Sequence, residues 1–397
     1  MKCRRRTILK AGVAGAIAPC ALRSSAAVEI PGGKPMLDLP SRIRCSVPIE
    51  SIEQLRVGDA IWFRVRSSDG AVGVCPGNDR LKMTVEMARR LVIPFFIGKD
   101  ARDIEALVDG VYTSRDERGS VYKYAGMPFW NVVGHVEGAV FDMMGRITDA
   151  PVSDLLVGAV RSEIDVYISR FGRETSAQQE VENAANDLAQ TGARATKLKV
   201  GLRMRNSPLQ MQRDRKMIEL ARRTFGDDVA IYVDANSSYP VDEAKAMGRH
   251  FEANGVGLFE EPLPWQDYRG TKQVTDALEM PVAGGEQDSS LWQWREMVDR
   301  RIVDVVQPDV FYNGGMVRTL RVAKMAERAG MRFTPHSPTV LPRAAVNLHL
   351  CSVVPNLGPF QEYRSFGKVS DGKVAVPTGP GLGLEVDEGE LRKAKPL

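Results

Sequence analysis

Residues 230–236 read AIYVDAN, a short apolar run that ends in two polar side chains, Asp234 and Asn236. The same pattern recurs along the chain. ATKLKV at 195–200 carries Lys197 and Lys199, and GLFEEP at 257–262 carries Glu260 and Glu261. PVAGGE at 281–286 closes on Glu286, and IVDVVQPD at 302–309 closes on Asp309. RFTPHS at 332–337 holds His336, and GPFQEY at 358–363 holds Glu362. From Asp234 through Glu260, Glu286, Asp309 and His336 to Glu362 the steps are 26, 26, 23, 27 and 26 residues. A step of that size holds one strand, one helix and two short loops. Strands this apolar are buried on both faces, as in a parallel sheet. The repeat therefore predicts an α/β fold, a parallel barrel with strands near 163–169, 194–200, 229–234, 256–261, 281–286, 302–308, 331–336 and 357–362. In such a barrel every strand's C-terminal end opens on one mouth. The polar residues of the ladder would then surround a single cavity.

Their chemistry is specific. Asp234, Glu260 and Glu286 would bring three negative charges to one point, and without a cation they would repel one another or take up protons. Oxygen ligands with no thiolate suit Mg²⁺. Asn236 lies two residues beyond Asp234 and is expected on the same side. Glu261, next to Glu260 on an extended strand, is expected to point the other way. Lys197 and Lys199 also share a face, and two ammonium groups side by side disfavour double protonation, leaving one amine available as a base. Asp309 and His336 end neighbouring strands, where a carboxylate orients an imidazole and stabilises its charged form.

The order KxK, DxN, EEP, GE, QPD, PHS and a late Glu resembles the mandelate racemase branch of the enolase superfamily, over roughly residues 40 to 390. The resemblance implies a modified (β/α)7β TIM-type barrel with an N-terminal α+β capping domain. It implies a Mg²⁺ site at Asp234, Glu260 and Glu286, and abstraction of the proton alpha to a carboxylate to give a metal-stabilised enediolate. Lys199 is then the base, with Lys197 binding the substrate carboxylate and lowering the pKa of Lys199. The Asp309–His336 dyad is the second acid/base. Glu362 hydrogen-bonds the substrate carboxylate, which calls for a protonated or strongly shared carboxyl group. Asn236 contacts the substrate or a water on the metal.

The same residues serve acid-sugar dehydration, racemisation or epimerisation of a 2-hydroxy acid, and sugar-acid cycloisomerisation. The first is the leading expectation. Ser169 and Arg170, after the first barrel strand, are expected to bind a polar or anionic substrate. A reading of a different class is an exported, non-catalytic sugar-acid-binding protein on a retained scaffold. The resemblance also implies a homo-oligomer.

Ahead of the barrel, residues 41–150 suit the capping domain. Ser41–Val47, Ala60–Ser67 and Ala71–Cys75 are expected as strands, with a turn at Ser68–Gly70. Leu81–Ile93, Arg102–Thr113 and Val132–Arg146 are expected as helices, the last with Gly134, Gly138 and Ala139 permitting close packing. By the resemblance, the loop around Pro48–Glu53 and the segment Lys123–Trp130 close the mouth, with Tyr124 touching substrate; burial of Tyr124, Phe129 and Trp130 is the alternative. The barrel fills 151–362, and the tail at 363–397 is expected to return to the cap.

The first residues differ in kind. Arg4-Arg5-Arg6 precedes a small apolar segment, Ala11–Leu22, and resembles a twin-arginine export signal over residues 1–27, followed by a Pro- and Gly-rich linker at 28–40. A periplasmic location follows as an expectation. The net charge of +4 becomes −2 without those 27 residues, so the basic balance says nothing of nucleic acid, and no nucleic-acid partner is expected. No apolar run beyond the signal reaches the length of a membrane span. Cys45, Cys75 and Cys351 remain after the signal, too few and too scattered for a zinc site or a disulfide framework. Buried thiols, or a Cys45–Cys75 pair, are the open alternatives.

Overall fold

The structure is a computed structural model that describes residues 35–397 apart from 117, 118, 386–388, 390, 392 and 393. The export signal at 1–27 and most of the linker lie outside the described residues. Three antiparallel strands open the cap: β1 (Ile49–Val57), β2 (Ala60–Ser67) and β3 (Val72–Pro76). Helices α1 (Ile104–Thr113), α2 (Met127–Ile147) and α3 (Val152–Leu156) follow. The barrel strands are β4 (Glu163–Ser169), β5 (Ala195–Lys199), β6 (Ala230–Asp234), β7 (Val256–Glu260), β8 (Val282–Gly284), β9 (Val305–Val306), β10 (Arg332–Phe333) and β11 (Gln361–Tyr363). Between them run α4 (Ala177–Thr191), α5 (Pro208–Phe225), α6 (Val241–Ala253), α7 (Tyr268–Thr275), α8 (Leu291–Asp299), α9 (Met316–Arg328) and α10 (Ala345–Val353). Late strands β12 (Lys373–Ala375) and β13 (Lys395–Pro396) complete the chain.

Strands β4 to β10 pair in sequence order, and β11 pairs parallel with β4. A parallel bridge between Phe333 and Leu357 joins β10 to the segment that leads into β11, which closes the ring. Eight strands with seven intervening helices make the expected (β/α)7β barrel. The sequence supplies its punctuation locally. Ser176 Oγ accepts the Gln179 N–H at the start of α4, and Gly192, at φ 67°, ends that helix. Inside the barrel Tyr167, Ala195, Tyr232, Leu258, Ala283 and Val305 pack together, filling its interior below the mouth.

The cap departs from expectation at its first strand. Residues 39–42 form a short helix, and the strand begins at Ile49. The segment expected as a mouth-closing loop, Pro48–Glu53, lies largely within β1. Gly58 and Asp59 form a tight turn into β2, with Gly58 at φ 57°, so no long loop leaves this hairpin. Apolar alternation extends through both regions, but β1 can pair with β2 over its full length, and that pairing decides the matter.

Helix α2 is the pillar between cap and barrel, buried from Phe129 to Gly145. A Cβ added at Gly138 would lie 2.9 Å from Cys75 Sγ, and one at Gly134 would lie 2.9 Å from the Gly315 nitrogen. Both glycines thus permit the close approach expected of them. Asp142 binds three parts of the chain. Its carboxylate accepts the Val74 N–H at 2.8 Å and the Leu382 N–H at 2.7 Å, and takes Arg146 Nε at 2.9 Å. The tail returns to the cap here, and again where β13 pairs with β1. Cys45 is exposed, Cys75 and Cys351 are buried, and all three are free thiols, so Cys45 and Cys75 do not pair. No helix among the described residues is long and apolar enough to cross a membrane.

Candidate active site

The strand ends deliver the ladder to one mouth. Lys197 and Lys199 leave β5, Asp234 ends β6 and Glu260 ends β7, all of them buried. Lys197 Nζ lies 2.8 Å from Glu260 Oε2, 2.9 Å from Glu362 Oε1 and 3.7 Å from Asp234 Oδ2. Lys199 Nζ contacts Asp234 Oδ2 and lies 3.3 Å from Asn236 Oδ1. Glu362 is shared further, accepting from Ser169 Oγ at 2.7 Å and from the Ser337 N–H at 3.0 Å. Across the mouth, His336 Nδ1 lies 2.9 Å from Asp309 Oδ2, and its Nε2 lies 3.2 Å from Glu286 Oε2. Asp309 is fixed in turn, because its other oxygen accepts the Phe311 and Tyr312 N–H groups at 2.9 and 3.0 Å.

Burial and charge set the protonation states. Burial alone would lower the pKa of Lys197, but Glu260, Glu362, Tyr167 and Asp234 outweigh it and hold the ammonium well above its usual range. Burial would raise Glu362, yet Lys197, His336 and Lys199 bring it down to about 2. It is therefore a shared carboxylate here, not a protonated one. Burial opposes charge on His336 as well, and Glu286, Asp309 and Glu362 overcome it, raising the imidazole to about 10. The surrounding acids favour its imidazolium form. Glu260 moves the other way: burial and the neighbouring Asp234 push it up to about 7, against the pull of Lys197.

The chain matches the enolase C-terminal domain-like family over residues 179–390. It belongs to the enolase superfamily. It is 28% identical over 357 residues to the arabinonate dehydratase of Saccharolobus solfataricus, covering 85% of this chain and 91% of that one. Its fold superposes on a provisionally named racemase from Roseobacter denitrificans with a TM-score of 0.81 at 31% identity, over 88% of this chain and 98% of the other. A mandelate racemase/muconate lactonizing protein from Paracoccus denitrificans, solved with magnesium, gives a TM-score of 0.79 at 27% identity, over 88% and 97%.

The residues of this enolase-superfamily member suit the magnesium of that relative. The donors at the mouth are carboxylates with no thiol among them. Glu261 adds a fourth acid, 6% exposed, with one oxygen that meets no hydrogen-bond partner. Burial first, then Glu286, Asp234 and Glu260, drive its carboxyl well above the usual range. The acids at the mouth outnumber the lysines and repel one another into taking up protons, and a divalent cation would let them ionise together. In the present conformation no three His, Cys, Asp or Glu side chains among the described residues converge as ligands. Asp234 and Glu260 face the Lys199 and Lys197 side chains instead, and Glu286 faces the His336 ring.

Glu261 corrects an expectation. Strand alternation would send it outward, but the chain turns at φ 41° there and its side chain is buried near the other acids. Arg170 is a second correction. Its guanidinium is held at 2.5 Å by Asp187 and 3.1 Å by Glu180, both on α4, so it serves the barrel wall. Arg173, three residues on, donates to Asn236 Oδ1 and is the arginine that reaches the ladder. Its Nε is buried and has no partner. Gln307 was also missed; its amide donates to Glu260 Oε2 at 3.0 Å. Its place two residues before Asp309 on one strand was the available signal. Tyr124 sits on a turn at 53% exposure, and no hydrogen bond or ring contact ties it to the ladder. Phe129 and Trp130 are buried, as the alternative reading held.

Proposed function

We propose that this chain is an enzyme that removes the proton alpha to the carboxylate of a small acid sugar and then expels the beta hydroxyl as water. The observation that carries the reading is the pairing of two proton-transfer groups across one mouth. Lys199 stands on β5, and the His336 imidazolium, braced by Asp309, stands beyond β10. Relatives named as a dehydratase of an acid sugar and as a cycloisomerase of a sugar lactone support the substrate class.

Asp234, Glu260 and Glu286 would hold Mg²⁺, which supplies electrostatic stabilisation to the substrate carboxylate as it takes on a second negative charge. Lys197 binds that carboxylate through its ammonium group, which Glu362 holds in place and Ser169 fixes in turn. Lys199 Nζ, acting as the neutral amine, takes the alpha proton and becomes the ammonium, so the Cα–H bond breaks and its electron pair moves onto the carboxylate. His336 Nε2 delivers a proton to the beta oxygen, the Cβ–O bond breaks, and water leaves. The resulting enol tautomerises to a 2-keto-3-deoxy acid. Asn236, held between Lys199 and Arg173, orients the substrate beside the base. On a substrate without a beta hydroxyl, His336 would instead return a proton to Cα from the opposite face. Similarity to a provisionally named racemase favours that as the second reading.

The test is proton NMR in D₂O with Mg²⁺ and a panel of sugar acids and 2-hydroxy acids. Loss of the alpha hydrogen with a 2-keto-3-deoxy product supports dehydration. Exchange with inversion and no product supports racemisation. No exchange with any bound acid would overturn the enzyme in favour of a binding protein. We propose in addition that the segment around Arg4-Arg5-Arg6 exports the folded chain to the periplasm, and that the enzyme assembles as a homo-oligomer.

A further inference from the structure

Beyond the dyad, a cavity of about 200 Å³ opens between cap and barrel. Asn78 and Arg80 come to it from the loop after β3, Tyr312 from the turn after Asp309, and Thr339 and Arg343 from the segment beyond His336. His336 and Asp309 form part of its wall, so it is continuous with the proposed chemistry. It is roomy enough for several water-sized groups, and so for the distal part of a short polyol chain.

Its wall sets Arg80, Arg343 and His336 against Asp79 and Asp309, and Asp309 is already committed to His336. The Arg80 guanidinium carbon lies 4.9 Å from the centre of the Tyr312 ring. The Tyr312 ring is itself tilted against His336, with centroids 6.3 Å apart. Stacking occupies a face of the guanidinium and leaves its N–H edge to donate in plane. Arg80 forms no ion pair with an acid among the described residues. Among the described residues Arg343 forms its ion pair with Asp79 alone, at 3.7 Å, and the Asp79 side chain is 73% exposed. Such a contact is largely screened by solvent and easily exchanged. A planar guanidinium edge matches a carboxylate with two parallel hydrogen bonds, a match no hydroxyl offers.

We infer that the substrate is a dicarboxylic sugar acid, its far carboxylate received by Arg80 and Arg343 while its near carboxylate occupies the Lys197–Glu362 end. This rests on the proton-abstraction reading above, and it narrows acid sugars to diacids. Arg80 and Arg343 are specificity-determining residues; the proton transfers belong to Lys199 and His336.

The experiment compares the six-carbon diacid with the corresponding six-carbon monoacid in several sugar configurations, using the Mg²⁺-loaded full chain. Calorimetry gives affinity, and exchange of the alpha proton gives kcat/KM. For the best configuration, wild-type protein should prefer the diacid by about ten- to a hundredfold, the worth of a charged hydrogen-bonded pair. In Arg80→Gln combined with Arg343→Gln, that ratio should fall at least tenfold. Equal handling of diacid and monoacid by the wild type, or a preference that survives the double substitution, overturns the inference and leaves the proton-abstraction reading standing. Arginine-dependent diacid binding without any exchange supports the subsite and overturns the enzyme. Circular dichroism confirms that the double variant is folded, and a single Arg80→Lys, which keeps charge but loses the planar edge, should restore only part of the preference.

Discussion

Glu137 of the capping helix α2 reaches the first turn of barrel helix α9, where its carboxylate accepts the Val317 N–H at 3.0 Å and also the Met316 N–H. Asp309, the acid that braces His336, lies seven residues before Met316 and eight before Val317. The cap therefore holds the turn on which half of the proton-transfer machinery stands. His135, two residues earlier on the same helix, stacks on Phe311 with ring centroids 3.8 Å apart.

Replacing Glu137 by Ala strands two buried backbone donors. At about 1–3 kcal/mol for each unsatisfied group, the loss should be roughly 2–5 kcal/mol. Urea titration should show a lower midpoint with little change in slope. Glu137→Gln, which keeps an acceptor, should recover much of it. A midpoint unchanged in both variants would show that the cap does not depend on this contact.

Two buried imidazoles should each cost the fold stability in acid. Burial lowers His135 and His349 to about 4, from an ordinary value near 6.5. The unfolded chain takes up these protons more readily than the folded one, so what each ring contributes falls as pH drops from about 6.5 to about 4, with a slope approaching about 1.4 kcal/mol per pH unit. Glu137, Glu260 and Asp288, raised by burial to about 8, 7 and 7, act in the opposite sense over the same window. The imidazole contribution is therefore read as the difference between wild type and His349→Gln in denaturation midpoints at pH 7, 6, 5 and 4.5. The wild type should lose stability relative to the variant as pH falls, and a constant difference across the window would refute it.

Exchange and elimination should separate genetically. Lys199→Ala should remove alpha-proton exchange altogether. His336→Asn should leave exchange on the lysine face while lowering product formation by about a hundredfold or more, the usual worth of a positioned acid. Asp309→Asn should fall between wild type and His336→Asn. Loss of exchange in His336→Asn on every substrate would assign the base to the other side of the mouth.

Magnesium should stabilise the folded chain. At a concentration a hundred times its dissociation constant, a ligand adds about 2.7 kcal/mol. Thermal melts with Mg²⁺ and with EDTA measure the shift. Asp234→Asn or Glu286→Gln should abolish most of it, and calorimetry should show weaker binding. A shift of the same size in both variants would place the ion elsewhere.

Export should depend on the paired arginines. Changing Arg5 and Arg6 together to Lys should leave the chain, with its leader attached, in the cytoplasm on cell fractionation. Delivery of that variant to the periplasm would sink the twin-arginine reading.

Much of this was legible in the sequence because the barrel repeats. Asp234, Glu260 and Glu286 are one strand–helix unit apart, and a parallel barrel has only one place to put such strand ends. Directions beyond a strand end were not legible. Glu261 follows Glu260, and alternation sends it outward, but a left-handed backbone at that residue turns it back. Arg170 and Arg173 lie on one short loop, and composition alone does not reveal that Glu180 and Asp187 claim the first and leave the second for Asn236. The first cap strand was displaced for a similar reason. Its position depends on pairing with β2, and a window of alternating residues cannot register a partner.

Asp142 gathers the Val74 and Leu382 amides onto one carboxylate, and that arrangement has a consequence in time. Leu382 leaves the ribosome 240 residues after Asp142. At about 5–20 residues per second, the interval is roughly 10–50 s. Throughout it, the capping domain has its own strands and helices but not its last bond or its edge strand. The half of the molecule that is made first is thus finished last. Completion of the cap reports that translation has reached the end of the chain.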